Sequence, residues 1–162
     1  MSDNKHVIIL RDVWFRYPRG GWVLKGVNLY VRKGESILVI GGTGSGKSTM
    51  ARVLNGSALW IYNGELKGEV IVDGFKVHKD SNPWVLARKI HVVGQNPYMY
   101  FINPLLREDL EFYAYSLYED DEIAERALWK AVESVSVREL LDKYFFSSYL
   151  GDKPVEPWSL SP

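Results

Sequence analysis

Hydrophobic and polar positions change period several times along this chain of 162 residues. Residues 6–13 are apolar and β-branched, and Trp14 to Tyr17 carries on the alternation, which predicts an opening strand. Pro18-Arg19-Gly20-Gly21 is turn chemistry. Leu24, Val27, Leu29 and Val31 then alternate with polar neighbours, so a second strand is expected, antiparallel to the first. Lys33-Gly34-Glu35 turns into Ser36-Ile37-Leu38-Val39-Ile40, a run apolar on both faces, as a central parallel strand is. A helix-compatible stretch from Thr49 to Leu54 follows, with Gly56 as its stop. Residues 64–68 are expected to be loop and 69–72 a strand. Asp73-Gly74 is a hairpin turn signal leading into Phe75-Lys76-Val77.

Beyond Pro83 a short helix is expected, then a strand over 90–93 that Gly94-Gln95-Asn96-Pro97 breaks. From Leu106 the period is helical. Asp120-Asp121-Glu122 supplies capping acids, and Ile123, Ala127, Leu128, Ala131, Val132 and Val135 form an apolar stripe. Leu140, Leu141 and Tyr144 predict a last helix over 137–145. The tail, 147–162, is rich in Ser and Pro. There are no repeats.

The chemistry is concentrated between the run 36–40 and the helix. Residues 41–48 read Gly-Gly-Thr-Gly-Ser-Gly-Lys-Ser, the pattern G-x-x-x-x-G-K-[ST] between a predicted strand and a helix. Gly41, Gly44 and Gly46 allow a tight loop whose N–H groups converge on an anion, with Gly42, Thr43 and Ser45 between them. The helix beginning near Thr49 adds its unsatisfied N-terminal donors. Lys47 supplies a point charge for β- and γ-phosphates, and the Ser48 hydroxyl is a ligand for Mg²⁺. A chain with this loop is expected to bind a nucleoside triphosphate.

Bulk properties narrow the class only a little. Acidic and basic side chains balance at 20 each, so no net field favours nucleic acid or anionic lipid. The chain has no cysteine, which excludes disulfides and thiolate chemistry. His6, His78 and His91 show no metal-ligand spacing. No apolar run reaches membrane-spanning length and no signal-peptide core opens the chain, so a soluble, intracellular protein is expected. Aromatic residues cluster at Tyr98, Tyr100 and Phe101, and again at Phe112, Tyr113, Tyr115 and Tyr118.

A phosphate loop alone does not choose among kinases, GTPases, helicases and transport ATPases. The flanking residues do. Phe15-Arg16-Tyr17-Pro18 is similar to the aromatic loop of ATP-binding-cassette (ABC) ATPases, and Gly94-Gln95-Asn96-Pro97 is similar to their Q-loop. Leu160-Ser161 sits where their Leu-Ser-Gly-Gly-Gln signature begins, although Pro162 replaces the first glycine and has no N–H to offer. The resemblance runs along essentially the whole chain. Leu54-Asn55-Gly56 and the stretch 62–70 look most like the ATPases of energy-coupling-factor importers.

The resemblance implies an α/β P-loop NTPase fold of ABC type: a mixed sheet with antiparallel N-terminal strands plus a helical subdomain. It implies a division into 1–97 (nucleotide-binding core), 98–158 (helical subdomain) and 159–162 (start of the signature), truncated before the Walker B segment. It further implies that Tyr17 stacks on adenine, that Gln95 reaches the Mg²⁺ and attacking-water region, and that Ser161 contacts nucleotide in trans in a dimer with another ABC ATPase. The cofactors implied are ATP and Mg²⁺, with Ser48 and Gln95 at the metal. The membrane partner implied is a permease or coupling subunit docking on 98–118, which would hold the protein on the inner face of the cell membrane. No residue matches the Walker B aspartate, the catalytic glutamate, the D-loop or the switch histidine, so little hydrolysis is expected of these residues alone. Asp73 ends an apolar strand as a Walker B aspartate does, but Asp73-Gly74 is turn chemistry. The alternative left open is a nucleotide-binding regulatory or scaffold module that never hydrolyses. A chromosome-maintenance ATPase is set aside, because no heptads follow residue 106.

Overall fold

The computed structural model describes residues 6–96 and 100–144. The chain divides into two compact units, Met1–Val93 and Gly94–Pro162.

The first unit is built on a four-stranded antiparallel sheet in the order β2-β1-β3-β4. Its strands are β1 (His6–Arg16), β2 (Trp22–Arg32), β3 (Glu65–Val72) and β4 (Phe75–Lys76). β1 pairs with β2 in the antiparallel sense that the alternation implied, and on its other edge with β3. Strand β3 begins four residues earlier than expected, because Gly68 is a strand residue and not the end of a loop. Arg11 faces Glu69 and Trp14 faces Lys67, so Asp12 and Val13 together oppose Gly68 alone. That is a β-bulge. Both sides of it are in left-handed backbone, Asp12 at φ 45° and Gly68 at φ 83°. Asp73 (φ 46°) and Gly74 (φ 75°) make the β3–β4 turn, both with the positive φ of a two-residue hairpin.

Helices α1 (Lys47–Leu54), α2 (Ser57–Trp60) and α3 (Pro83–Ala87) belong to this unit. Val53, Ala58, Leu59 and Leu86 from these helices are buried with Leu10, Val13, Phe15, Leu24, Val70 and Val72 from the sheet. Gly56 (φ 76°) ends α1 as expected. Asn82 caps α3 by accepting from the Trp84 N–H at 3.0 Å, with Pro83 at the first helical position.

The structure corrects two strand expectations. Residues 36–40 and 90–93 carry no strand structure. Exposure over the first segment alternates, 42% at Ile37, 83% at Leu38, 44% at Val39 and 83% at Ile40, and Val93 is 92% exposed. An apolar run becomes a strand only where a neighbour completes its ladder. Among the described residues no strand pairs with either segment.

The second unit contains α4 (Leu106–Leu117) and α5 (Asp121–Ser134), both expected from their period. Asp120 accepts from the Ile123 N–H at 3.0 Å and caps α5. The buried stripe is Ala124, Leu128 and Val132, packed with Ala114 and Leu141. Ile123 and Val135, expected in that stripe, are 44% and 65% exposed. The last helix is shorter than its pattern suggested: a 3₁₀ turn, Arg138–Leu140, followed by an isolated bridge between Leu105 and Tyr144. Asp109 is 3% exposed, and its Oδ1 accepts from the Ile102 and Asn103 N–H groups at 2.8 and 2.9 Å. This carboxylate ties the chain before α4 to its first turn.

Candidate functional site

The phosphate-loop pattern forms a loop running into α1, as its residues require. Gly44 (φ 81°) and Gly46 (φ 95°) hold the left-handed conformations that turn the backbone inward, and Gly46 is the N-cap residue of α1. A methyl at Gly46 would also press on a Leu24 methyl at 3.1 Å, which would have to give by a few tenths of an ångström. The loop closes through Ser45 N–H to the Gly42 carbonyl at 3.3 Å, and α1 starts with Met50 N–H to the Gly46 carbonyl at 2.8 Å. No side chain caps α1.

Lys47 folds back over this loop. Its ammonium donates to the Gly41 and Gly42 carbonyls at 2.6 and 2.8 Å and approaches the Ser45 hydroxyl at 3.3 Å. A cation held against a glycine loop at the start of a helix is the arrangement that receives a polyphosphate. Ser48, next on α1, is exposed. Among the described residues no group of three His, Cys, Asp or Glu side chains could hold a metal ion. The Ser48 hydroxyl would suit Mg²⁺, a cation that keeps several waters and shares phosphate oxygens with few protein ligands.

Tyr17 follows β1 and is half-buried. Its ring meets Phe15 edge-on at 5.0 Å and Tyr62 edge-on at 5.7 Å. Its hydroxyl lies 3.3 Å from Thr49 Oγ1 and accepts from an Arg52 guanidinium N–H at 3.1 Å. The Arg52 guanidinium also lies 4.8 Å from the Tyr62 ring centre, a cation–π distance. An open hollow of about 530 Å³ lies beside Tyr17, lined also by Pro18, Arg19, Gly20, Asn63 and Glu65. Within the first unit, then, the structure brings Tyr17 to the helix that carries Lys47, Ser48 and Thr49. Arg52 is not singled out by the sequence, and Tyr62 enters it only as the first residue of the stretch 62–70, with no role at Tyr17. Their spacing carries no motif, and only the fold reveals that they meet Tyr17.

Asp73, at the β3–β4 turn, is paired with a lysine. Its carboxylate accepts from Lys89 Nζ at 2.6 Å, and that bond and charge hold its pKa below the ordinary value. Gln95 belongs to the second unit and is exposed. A methyl on its neighbour Gly94 would lie 2.1 Å from the Tyr100 hydroxyl, so only glycine lets Tyr100 fold back there. Gly94→Ala is expected to displace the Tyr100 ring at little cost in stability, because the atoms it meets are the outer end of a side chain already 46% exposed. Unchanged ring resonances of Tyr100 in an NMR spectrum of the variant would contradict that packing. Pro97, Tyr98 and Leu160-Ser161-Pro162 lie outside the described residues.

A glycine loop with an inward lysine, opening a helix from a sheet-built unit, defines a phosphate-loop nucleotide-binding domain. The chain belongs to the ABC transporter family, whose pattern it matches over residues 24–150. It is 36% identical over 150 residues to the energy-coupling factor transporter ATP-binding protein EcfA of Methanothermobacter thermautotrophicus, covering 91% of this chain and 43% of that protein. It is 35% identical over 149 residues to EcfA1 of Bacillus subtilis, covering 88% and 49% respectively. Among solved structures it resembles cbiO1 from Clostridium perfringens, part of the ABC transporter complex cbiONQ. That match has a TM-score of 0.71 at 23% identity, and covers 86% of this chain and 54% of that one. The chain thus spans about half the length of the relatives it matches.

Proposed function

We propose that this chain is the MgATP-binding part of an ABC-type importer ATPase, in which nucleotide binding powers transport through membrane subunits. The observation that carries the reading is Lys47, whose ammonium lies over the Gly41 and Gly42 carbonyls at the mouth of α1. Backbone N–H groups of 41–48 bind the phosphates, and Lys47 exchanges its carbonyl partners for β- and γ-phosphate oxygens. Ser48 orients the metal, and Tyr17 carries the adenine ring on its face. Mg²⁺, when bound, neutralises the phosphate charge and fixes its orientation. Gln95 is assigned to the metal and attacking-water region, and Ser161 to the nucleotide of a second ABC ATPase, homologous or identical. Both roles rest on the resemblance of their motifs.

The names of the relatives support a membrane partner, since they are transporter ATP-binding proteins. So does the surface of the second unit, where Tyr100, Phe112, Tyr113, Tyr115 and Tyr118 are between 39% and 48% exposed. A run of exposed aromatic side chains is the composition of an interface core. We assign residues 98–118 to that contact, placing the protein on the cytoplasmic face of the cell membrane through its partner. No helix of the described residues is long and apolar enough to cross a membrane.

These 162 residues alone are expected to turn over ATP at or near background. The sequence offers no match to the family's Walker B aspartate or catalytic glutamate, and Asp73 is engaged by Lys89. Loss of general-base assistance costs ~10²–10⁴-fold. Phosphate release by the purified chain, with Lys47→Ala as the contamination control, measures this. Lys47-dependent turnover on the order of 1 s⁻¹, an ordinary enzymatic rate, would show that a base lies within these residues.

A further inference from the structure

We infer that Arg52 and Tyr62 are positioning residues for the nucleobase: they hold the Tyr17 ring through its hydroxyl at a fixed distance from the phosphate loop. This rests on the reading of Tyr17 as the base platform and goes beyond it, because a stacking ring requires no hydroxyl.

Of the two hydrogen bonds to the Tyr17 hydroxyl, the one from Arg52 has a fixed direction. Arginine has donors only, so at 3.1 Å the Tyr17 oxygen accepts from Arg52. The Tyr17 oxygen also lies 3.3 Å from Thr49 Oγ1, a hydrogen bond in which either hydroxyl can be the donor. Both partners are on α1, two and five residues after Lys47, on a helix whose first turn is the phosphate site. Thr49 is 6% exposed, so its hydroxyl is a fixed point and not a mobile surface group. Tyr62 completes the clamp, placing its face under the Arg52 guanidinium at 4.8 Å and meeting the Tyr17 ring at an interplanar angle of 81°. A ring tied in this way cannot swing away from α1. A ligand whose base lies on Tyr17 and whose phosphates lie on the loop therefore meets two halves of a site already held at one separation. Ordering that separation in advance lowers the entropic cost of binding both ends together. The benefit goes only to a ligand that has both a base and a triphosphate.

Titration calorimetry of the full chain tests this, comparing a non-hydrolysable ATP analogue with inorganic tripolyphosphate. For Tyr17→Phe and for Arg52→Met, the preference for the ATP analogue is expected to fall roughly three- to tenfold, the scale of one hydrogen bond. Tripolyphosphate affinity is expected to hold within about twofold. The double variant is expected to lose no more than either single one, since both substitutions break the same link. Arg52→Lys, which keeps a donor and a cation over Tyr62, is expected to recover most of the preference, and thermal melts confirm that each variant is folded. The inference is overturned if Arg52→Met leaves the preference unchanged, if it weakens both ligands equally, or if the double variant shows the product of the single effects. A wild-type chain that binds tripolyphosphate as well as the ATP analogue would instead remove the platform role of Tyr17 itself, and this inference with it.

Discussion

Lys47→Ala is expected to remove most of the affinity of this chain for a nucleoside triphosphate. The Lys47 ammonium already sits among polar atoms of the loop itself, at 2.6, 2.8 and 3.3 Å, so it needs little reorganisation to meet a phosphate there. Deleting one partner of a close, partly desolvated charge pair costs about 2–4 kcal/mol, or roughly 30- to 700-fold in the dissociation constant. Stability should change little, because water can take the place of the ammonium at the exposed Gly41 and Gly42 carbonyls. Titration of a fluorescent ATP analogue, preceded by circular dichroism on both proteins, reads the effect. Equal affinities in two folded proteins would contradict the role given to the loop.

The second large effect is on stability. Gly68→Ala is expected to destabilise the first unit by about 3 kcal/mol, combining left-handed strain of ~1–2 kcal/mol with overpacking of a similar size. A methyl there would lie 2.2 Å from the Asp12 carbonyl oxygen and 2.5 Å from that of Arg11, and these are backbone atoms of the central strand. Gly74 provides the comparison. Its φ is 75°, but a methyl would meet nothing within 4 Å, so Gly74→Ala carries the strain without the clash. Denaturant midpoints should therefore rank wild type, Gly74→Ala and Gly68→Ala in descending order. Equal losses at the two glycines would show that the bulge is not close-packed.

The same bulge shows where sequence reasoning stops. Alternation at Leu24, Val27, Leu29 and Val31 reveals β2, because one face of that strand is covered by its own unit. Gly68 reads as the end of a loop, since nothing local distinguishes a glycine that ends a strand from one that lets its neighbour bulge. Residues 36–40 read as a buried strand from their composition alone. Whether such a run is a strand depends on partners that composition does not name. In α5 the acidic cap is legible, and the stripe is half right: Leu128 and Val132 are buried while Ile123 and Val135 face solvent. Two apolar stripes one residue apart are equally periodic, and only the packing of Ala114 and Leu141 selects between them. At the candidate site the glycine loop, Lys47 and Tyr17 are all legible as motif. The Arg52–Tyr17–Thr49 chain is not, because it joins a strand end to a helix 32 to 35 residues away.

The central claim is that the backbone of residues 41–49 binds a polyphosphate. Amide hydrogen exchange over that segment, with and without the magnesium complex of a non-hydrolysable ATP analogue, tests it most directly. The expected result is strong added protection at 41–49, weak in Lys47→Ala, with β1 and β3 amides unchanged. Identical exchange at 41–49 with and without saturating nucleotide would contradict the account.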